Sequence, residues 1–93
     1  MRIIGEISHP TLKITVFKMG ERTSVKLENA QYEQTFKLGT DDRFQTLEDI
    51  QRWADGEFLA HALRQFEAMH QNKMAAAQRA FPINAEAEFE TII

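Results

Sequence analysis

Two pairs of side chains have spacings that suit metal coordination. Glu57 and His61 stand four apart and Glu67 and His70 three apart, separations at which a helix presents both side chains to one ion. His61 and His70, however, are nine apart and fall on roughly opposite sides of one helix, so they cannot share a short-range site. His70 also falls within an apolar arc, where a histidine with a hydrogen-bond partner at the core edge is the expected role. The chain contains no cysteine, which removes disulfides and thiolate chemistry, and no clustered serine, histidine and acid at the spacing nucleophilic catalysis needs. Its four glycines form no phosphate-cradling run. Trp53 and Phe44 read as helix-to-sheet packing. No catalytic, cofactor-binding or metal-ligating residue is assigned, and a non-enzymatic role is expected.

The elements that would position any surface are legible. In Leu12, Ile14 and Val16, in Val25 and Leu27, and in Tyr32, Phe36 and Leu38, apolar residues recur at even separations, as half-buried strands require. Gly20-Glu21 suits a two-residue type II′ turn. That turn sets Met19 opposite Arg22, Val16 opposite Val25, Ile14 opposite Leu27 and Lys13 opposite Glu28, so apolar pairs share one face and the ion pair takes the other. A second turn at Asn29-Ala30 would set Leu27 opposite Tyr32 and Val25 opposite Gln34, although Ala suits a type I′ turn poorly. A first strand precedes Pro10, with a turn at His9 to Leu12, Ile7 opposite Ile14 and Gly5 opposite Val16. The same register places Ile4 opposite Phe17 on the outer face, with Met19 beside them. The rest of that face, from Lys13 and Lys26 to Glu28 and Glu33, carries mixed charge and reads as solvated.

Thr46 and Asp49 form a variant capping box for a helix. The apolar arc of Leu47, Ile50, Trp53 and Ala54 lies about 150° from that of Phe58, Leu59, Ala62, Leu63, Phe66 and Met69, so one straight helix cannot serve both. The phase changes at Asp55-Gly56. Asp55 is the expected cap of a second helix, and Gly56 the permissive residue at the bend. At about 1.5 Å per residue that second helix would be roughly 39 Å long, against about 26 Å for an eight-residue strand. Its far third, with Met74, Ala76, Ala77, Ala80 and Phe81, would overhang the sheet with its apolar arc uncovered. After Pro82 the pattern returns to period two, with Ala85, Ala87, Phe89 and Ile93 alternating with Glu86, Glu88 and Glu90.

These features predict an α+β fold. A three- or four-stranded antiparallel β-meander (about 2–38) is packed on one face by a short helix (about 46–54) and a long helix (about 56–81). One domain is expected over 1–81, followed by an extended acidic C-terminal tail, 82–93, that is either disordered or pairs as a strand. The formal charge is −3, and the excess is in the second half: residues 1–45 hold seven Lys/Arg against six Asp/Glu, and 46–93 hold four against eight. Neither half reads as a phosphate-binding surface, so no nucleic-acid partner is expected. The first residues lack an apolar run long enough for a signal peptide or a membrane span, and a small cytoplasmic protein without direct membrane insertion is expected.

The functional expectation is a non-catalytic protein-interaction module or accessory subunit that binds protein, as a homo-oligomer or within a larger complex. Its candidate contact residues are Ile4, Phe17, Met19, Met74, Ala77, Phe81, Phe89 and Ile93. An alternative is a small-ligand-binding or enzymatic domain with a pocket between helix and sheet near Tyr32, Gln34 and His70. Gln34 discriminates between them, being polar where strand parity predicts core.

Overall fold

The computed structural model of the chain describes residues 1–82. Four strands, β1 (Arg2–Ile7), β2 (Lys13–Met19), β3 (Arg22–Glu28) and β4 (Glu33–Gly39), pair in sequence order as an antiparallel meander. A 3-10 turn at Asp42–Phe44 leads into α1 (Leu47–Trp53) and then α2 (Gly56–Ala80), both on one face of the sheet. The α+β architecture is the one expected, with the fourth strand settled and the helix ends within a residue of prediction.

The central hairpin follows its turn chemistry. Gly20 takes φ 61° while Glu21 keeps negative φ, the signature of the type II′ turn. The β2–β3 register matches the expected pairing at Lys13–Glu28, Ile14–Leu27, Val16–Val25 and Met19–Arg22. Its inner face forms the floor of the core, where Ile14, Val16, Val25 and Leu27 meet Ile50 of α1 and Ala62 and Phe66 of α2.

The two flanking pairings each differ from expectation. Between β3 and β4, Leu27 pairs with Gln34 and Val25 with Phe36, two residues further on than the Asn29-Ala30 turn would give. Asn29 is the cause. Its side-chain oxygen accepts from the amides of Gln31 (2.9 Å) and Tyr32 (2.8 Å), building a four-residue loop in which Ala30 keeps negative φ. A shift of two preserves parity, so the same faces remain inside.

Between β1 and β2 the expected pairs Ile7–Ile14 and Gly5–Val16 form, but a bulge follows, and Ile3 rather than Ile4 pairs with Phe17. Ile4 turns inward and packs against the core. Its placement on the outer face is therefore corrected, and Ile3 holds that position. The close approach of α1 accounts for Gly5, since a Cβ there would lie 2.6 Å from Leu47 Cδ2.

Thr46 caps α1 with the full capping box, its hydroxyl accepting from the Asp49 amide while the Asp49 carboxylate accepts from the Thr46 amide. The bend between the helices sits at Ala54 (φ −85°, ψ 62°), and the extended Asp55 caps α2 by accepting from the Phe58 amide at 2.9 Å. Gly56 is the first residue of α2 and has negative φ, so the bend does not use its freedom. Phe36, Phe44, Trp53 and Phe58 form an aromatic cluster, with contacting ring centroids 4.4 to 5.8 Å apart, edge-on except for the tilted Trp53–Phe58 pair, that ties β4, the 3-10 turn and both helices together.

Candidate functional site

The direction of α2 over the sheet decides which surfaces are free. Phe58 packs on Phe36, Gln34 donates to the Ala62 carbonyl at 2.9 Å, and Tyr32 reaches His70, so α2 runs antiparallel to β4. It leaves the sheet past His70, at the end that carries the Asn29–Tyr32 loop. Every residue from Gln71 to Phe81 is exposed. The eleven residues after His70, Gln71 to Phe81, extend about 16 Å beyond this last hydrogen bond.

Met74, Ala77 and Phe81 all lie on this free segment, as the sequence places them. Met74 is 50% and Phe81 78% exposed. Leu63, expected in the core stripe, is 41% exposed. At about 100° per residue, Leu63, Met74 and Phe81 fall within roughly 20° of one another around the axis, a line about 27 Å long. Leu63 was missed because a helical wheel gives its azimuth, some 60° from Phe66, but not how far the sheet reaches.

A second apolar surface lies on the outer sheet face, at the opposite end. Phe17 and Met19 are there, joined by Met1 and Ile3, which take the place expected of Ile4. Lys26 lies over the Phe17 ring at 5.5 Å and pairs with Glu28 and Glu33. Two adjoining hollows, of about 250 and 260 Å³, share Arg22, Ser24 and Lys37; the first is walled by Phe17 and Met19, the second by Thr40. Among the described residues neither Arg22 nor Lys37 pairs with a carboxylate. The two cations sit together because Lys37 pairs with Ser24 across a bulge at Thr23/Ser24, a detail that parity alone does not carry.

The polar residues between helix and sheet make contacts with one another. The Tyr32 hydroxyl lies 2.9 Å from His70 Nδ1, which gives His70 the partner expected of it. Gln34 bonds instead at Ala62, two helical turns or about 12 Å from His70. The structure thus joins Tyr32 to His70 and leaves Gln34 apart from them. The other histidines are also engaged: His61 Nδ1 is 2.8 Å from an Arg64 guanidinium nitrogen, and His9 Nδ1 accepts from the amides of Thr11 and Leu12. Glu67 accepts from Gln71. Among the described residues no group of three or more His, Cys, Asp or Glu side chains is placed to hold a metal ion.

Two carboxyls are perturbed, both at the entry to α1. The hydrogen bonds from the Arg43 side chain and backbone hold Asp41 down at about 2, and those from Thr46, with Arg52, lower Asp49. These are structural caps, and their exposure and cationic partners keep them ionised rather than poised for proton transfer.

Phe89 and Ile93, and the strand or disorder expected of the tail, lie outside the described residues. Among the described residues no helix is long and apolar enough to cross a membrane. Comparison of the chain with protein-family models, curated proteins and solved structures gives no match.

Proposed function

We propose that the protein is a non-catalytic interaction module that self-associates through the exposed apolar line of α2. The alignment of Leu63, Met74 and Phe81 along one side of a helix that outruns its own sheet carries this reading. A helix end kept in water for its own sake would need only good helix formers, and the alanines at 75, 76, 77 and 80 supply them. Met74 and Phe81 add large apolar surface where the other described residues offer no cover. The alanines between them let a second helix approach closely.

An antiparallel pair of α2 helices, related by a two-fold axis on the side of the Leu63–Phe81 line at the height of Asn72, sets Leu63 of each copy against Phe81 of the other. Each line is then covered along its length by an isologous contact. Covering these side chains draws on roughly 1.5 to 3 kcal/mol for each large apolar residue fully buried, against the cost of association.

Sedimentation velocity over a concentration series tests this reading. The unaltered chain is expected to sediment as a dimer that dissociates on dilution. The Met74→Glu/Phe81→Glu variant is expected to sediment as a monomer with unchanged far-ultraviolet circular dichroism. A chain that stays monomeric at the highest concentration, or a variant of unchanged mass, overturns it.

A further inference from the structure

We infer that the outer-face groove bounded by Phe17, Met19, Arg22 and Lys37 binds a medium-chain carboxylate, with its head between the two cations and its unbranched body lying across the strands toward Ile3.

The large apolar side chains exposed among the described residues fall into two sets. Leu63, Met74 and Phe81 lie on α2, where the pairing proposed above covers them. Met1, Ile3 and Met19 lie at the other end of the molecule, and that pairing leaves them bare.

Strand register arranges this second set in rows that change character across the sheet. Ile3 pairs with Phe17, Phe17 with Ser24 and Ser24 with Lys37, so one row runs from apolar through a small hydroxyl to a cation. Two residues nearer the β2–β3 turn, Met19 pairs with Arg22, with Met1 beside the first and Thr40 beside the second. The rows are about 7 Å apart along the strands, and the first crosses from β1 to β4 over three inter-strand spacings, about 14 Å. Residues of both rows line the adjoining hollows of about 250 and 260 Å³. Ser24, the smallest side chain of its row, stands between Phe17 and Lys37 and keeps the groove open.

The two ends of the groove define the two ends of the ligand. Arg22 and Lys37 pair with no carboxylate among the described residues, whereas Lys26, the next cation on this face, is engaged by Glu28 and Glu33 and lies over the Phe17 ring. Two uncommitted monocations beside the Ser24 and Thr40 hydroxyls suit the oxygens of one carboxylate, Arg22 through its forked donors and Lys37 as a point charge. The apolar end is long and narrow, and its flexible methionines adapt to an alkyl chain more readily than to a rigid ring system. An elongated amphiphile sets charge on charge and alkyl on apolar wall together.

Nuclear magnetic resonance of the full-length chain, titrated with decanoate below its micelle concentration, tests the site. The methyls of Met1 and Met19 and the amides of Ser24 and Lys37 should shift together and saturate. Decanol has the same body without the charge, and an Arg22→Gln/Lys37→Gln chain keeps the apolar wall without the cations; either change should weaken binding on the order of tenfold. Equal affinity for decanol, or for butyrate, overturns the amphiphile, and unaltered affinity in the double variant overturns the cationic head site. Shifts concentrated at Leu63, Met74 and Phe81 overturn it as well, by assigning the binding to the helix line. The comparison of ligands on the unaltered chain decides the matter even where the variant fails to fold. The site is independent of the α2 pairing, because every residue of the groove comes from one copy. The same shifts should therefore persist in the Met74→Glu/Phe81→Glu chain, and their loss there overturns the inference while leaving the pairing standing.

Discussion

The Tyr32 hydroxyl lies 2.9 Å from His70 Nδ1, and this is the last hydrogen bond that α2 makes to the rest of the fold, among the described residues, before the helix runs free. The rings meet edge-on at 5.9 Å, and Lys73, one turn further along α2, lies over the Tyr32 ring at 5.5 Å. The Tyr32→Phe substitution keeps the ring contact and removes only the hydroxyl, so it should destabilise the fold by about 0.5 to 1.5 kcal/mol. Urea denaturation gives the total. Amide exchange localises it: protection around Phe66 to His70 should fall, while the free end beyond Met74 should change little. Equal loss of protection along all of α2 would mean that the bond does not mark the boundary.

Gly5 and Leu47 make a second junction, and here the contact is steric. An added Cβ at Gly5 would stand 2.6 Å from Leu47 Cδ2 and 3.0 Å from Cδ1. Because these are the ends of a side chain that can turn, the Gly5→Ala substitution should cost about 1 to 3 kcal/mol rather than prevent folding. In a double-mutant cycle with Leu47→Ala, the Gly5→Ala penalty should largely vanish, giving a coupling energy of about 1 kcal/mol or more. Additive penalties would place the strain elsewhere, at the bulge itself.

The same junction shows what the sequence could and could not carry. The β2–β3 hairpin is legible because Gly20-Glu21 and the apolar pairs specify one register twice over. The capping box at Thr46 and the overhang of α2 are legible because capping is local and helix length is arithmetic. Ile4 is not, since the bulge that turns it inward accompanies the packing of Leu47 on Gly5, a contact between distant parts of the chain. The β3–β4 register escaped for a smaller reason: the Asn29 side chain builds its own loop, which the dipeptide Asn29-Ala30 does not announce. For the surfaces, helix length carries Met74, Ala77 and Phe81 past the sheet, onto a segment where every residue is exposed. The exposure of Leu63 depends on how far the sheet extends beneath it, and the nearness of Arg22 to Lys37 depends on two registers and a bulge.

Gly56 offers a stabilising change. It is the first residue of α2, its φ is negative, and a Cβ there would meet nothing within 4 Å. The Gly56→Ala substitution should therefore raise stability by roughly 0.4 to 1 kcal/mol, chiefly by narrowing the unfolded ensemble. A raised urea midpoint with an unchanged slope is the expected result. A lowered midpoint would show that the bend at Ala54 draws on the freedom of its neighbour after all.

Acid sensitivity should be concentrated where the chain turns from β4 into α1. Asp41 and Asp49 both have folded-state pKa values below the ordinary 3.8, Asp41 at about 2, because hydrogen bonds from Arg43 and Thr46 favour their ionised forms. A carboxyl depressed in the folded state binds its proton more readily when unfolded. Its stabilising contribution is therefore complete above pH 3.8, and for Asp41 it is lost as the pH falls toward about 2. Urea midpoints should hold steady down to that window and then decline, and the decline should be shallower in Asp41→Asn and Asp49→Asn chains, whose side chains cannot titrate. Because both carboxyls are exposed, the effect is a modest change of slope, and high salt should reduce it. The capping box retains its Thr46 hydroxyl below the window, so the helical signal of α1 and α2 should persist while the midpoint drops. Loss of helix content in step with protonation would instead make the Asp49 carboxylate, rather than the packing of Ile50 and the aromatic cluster, the element that keeps α1 folded.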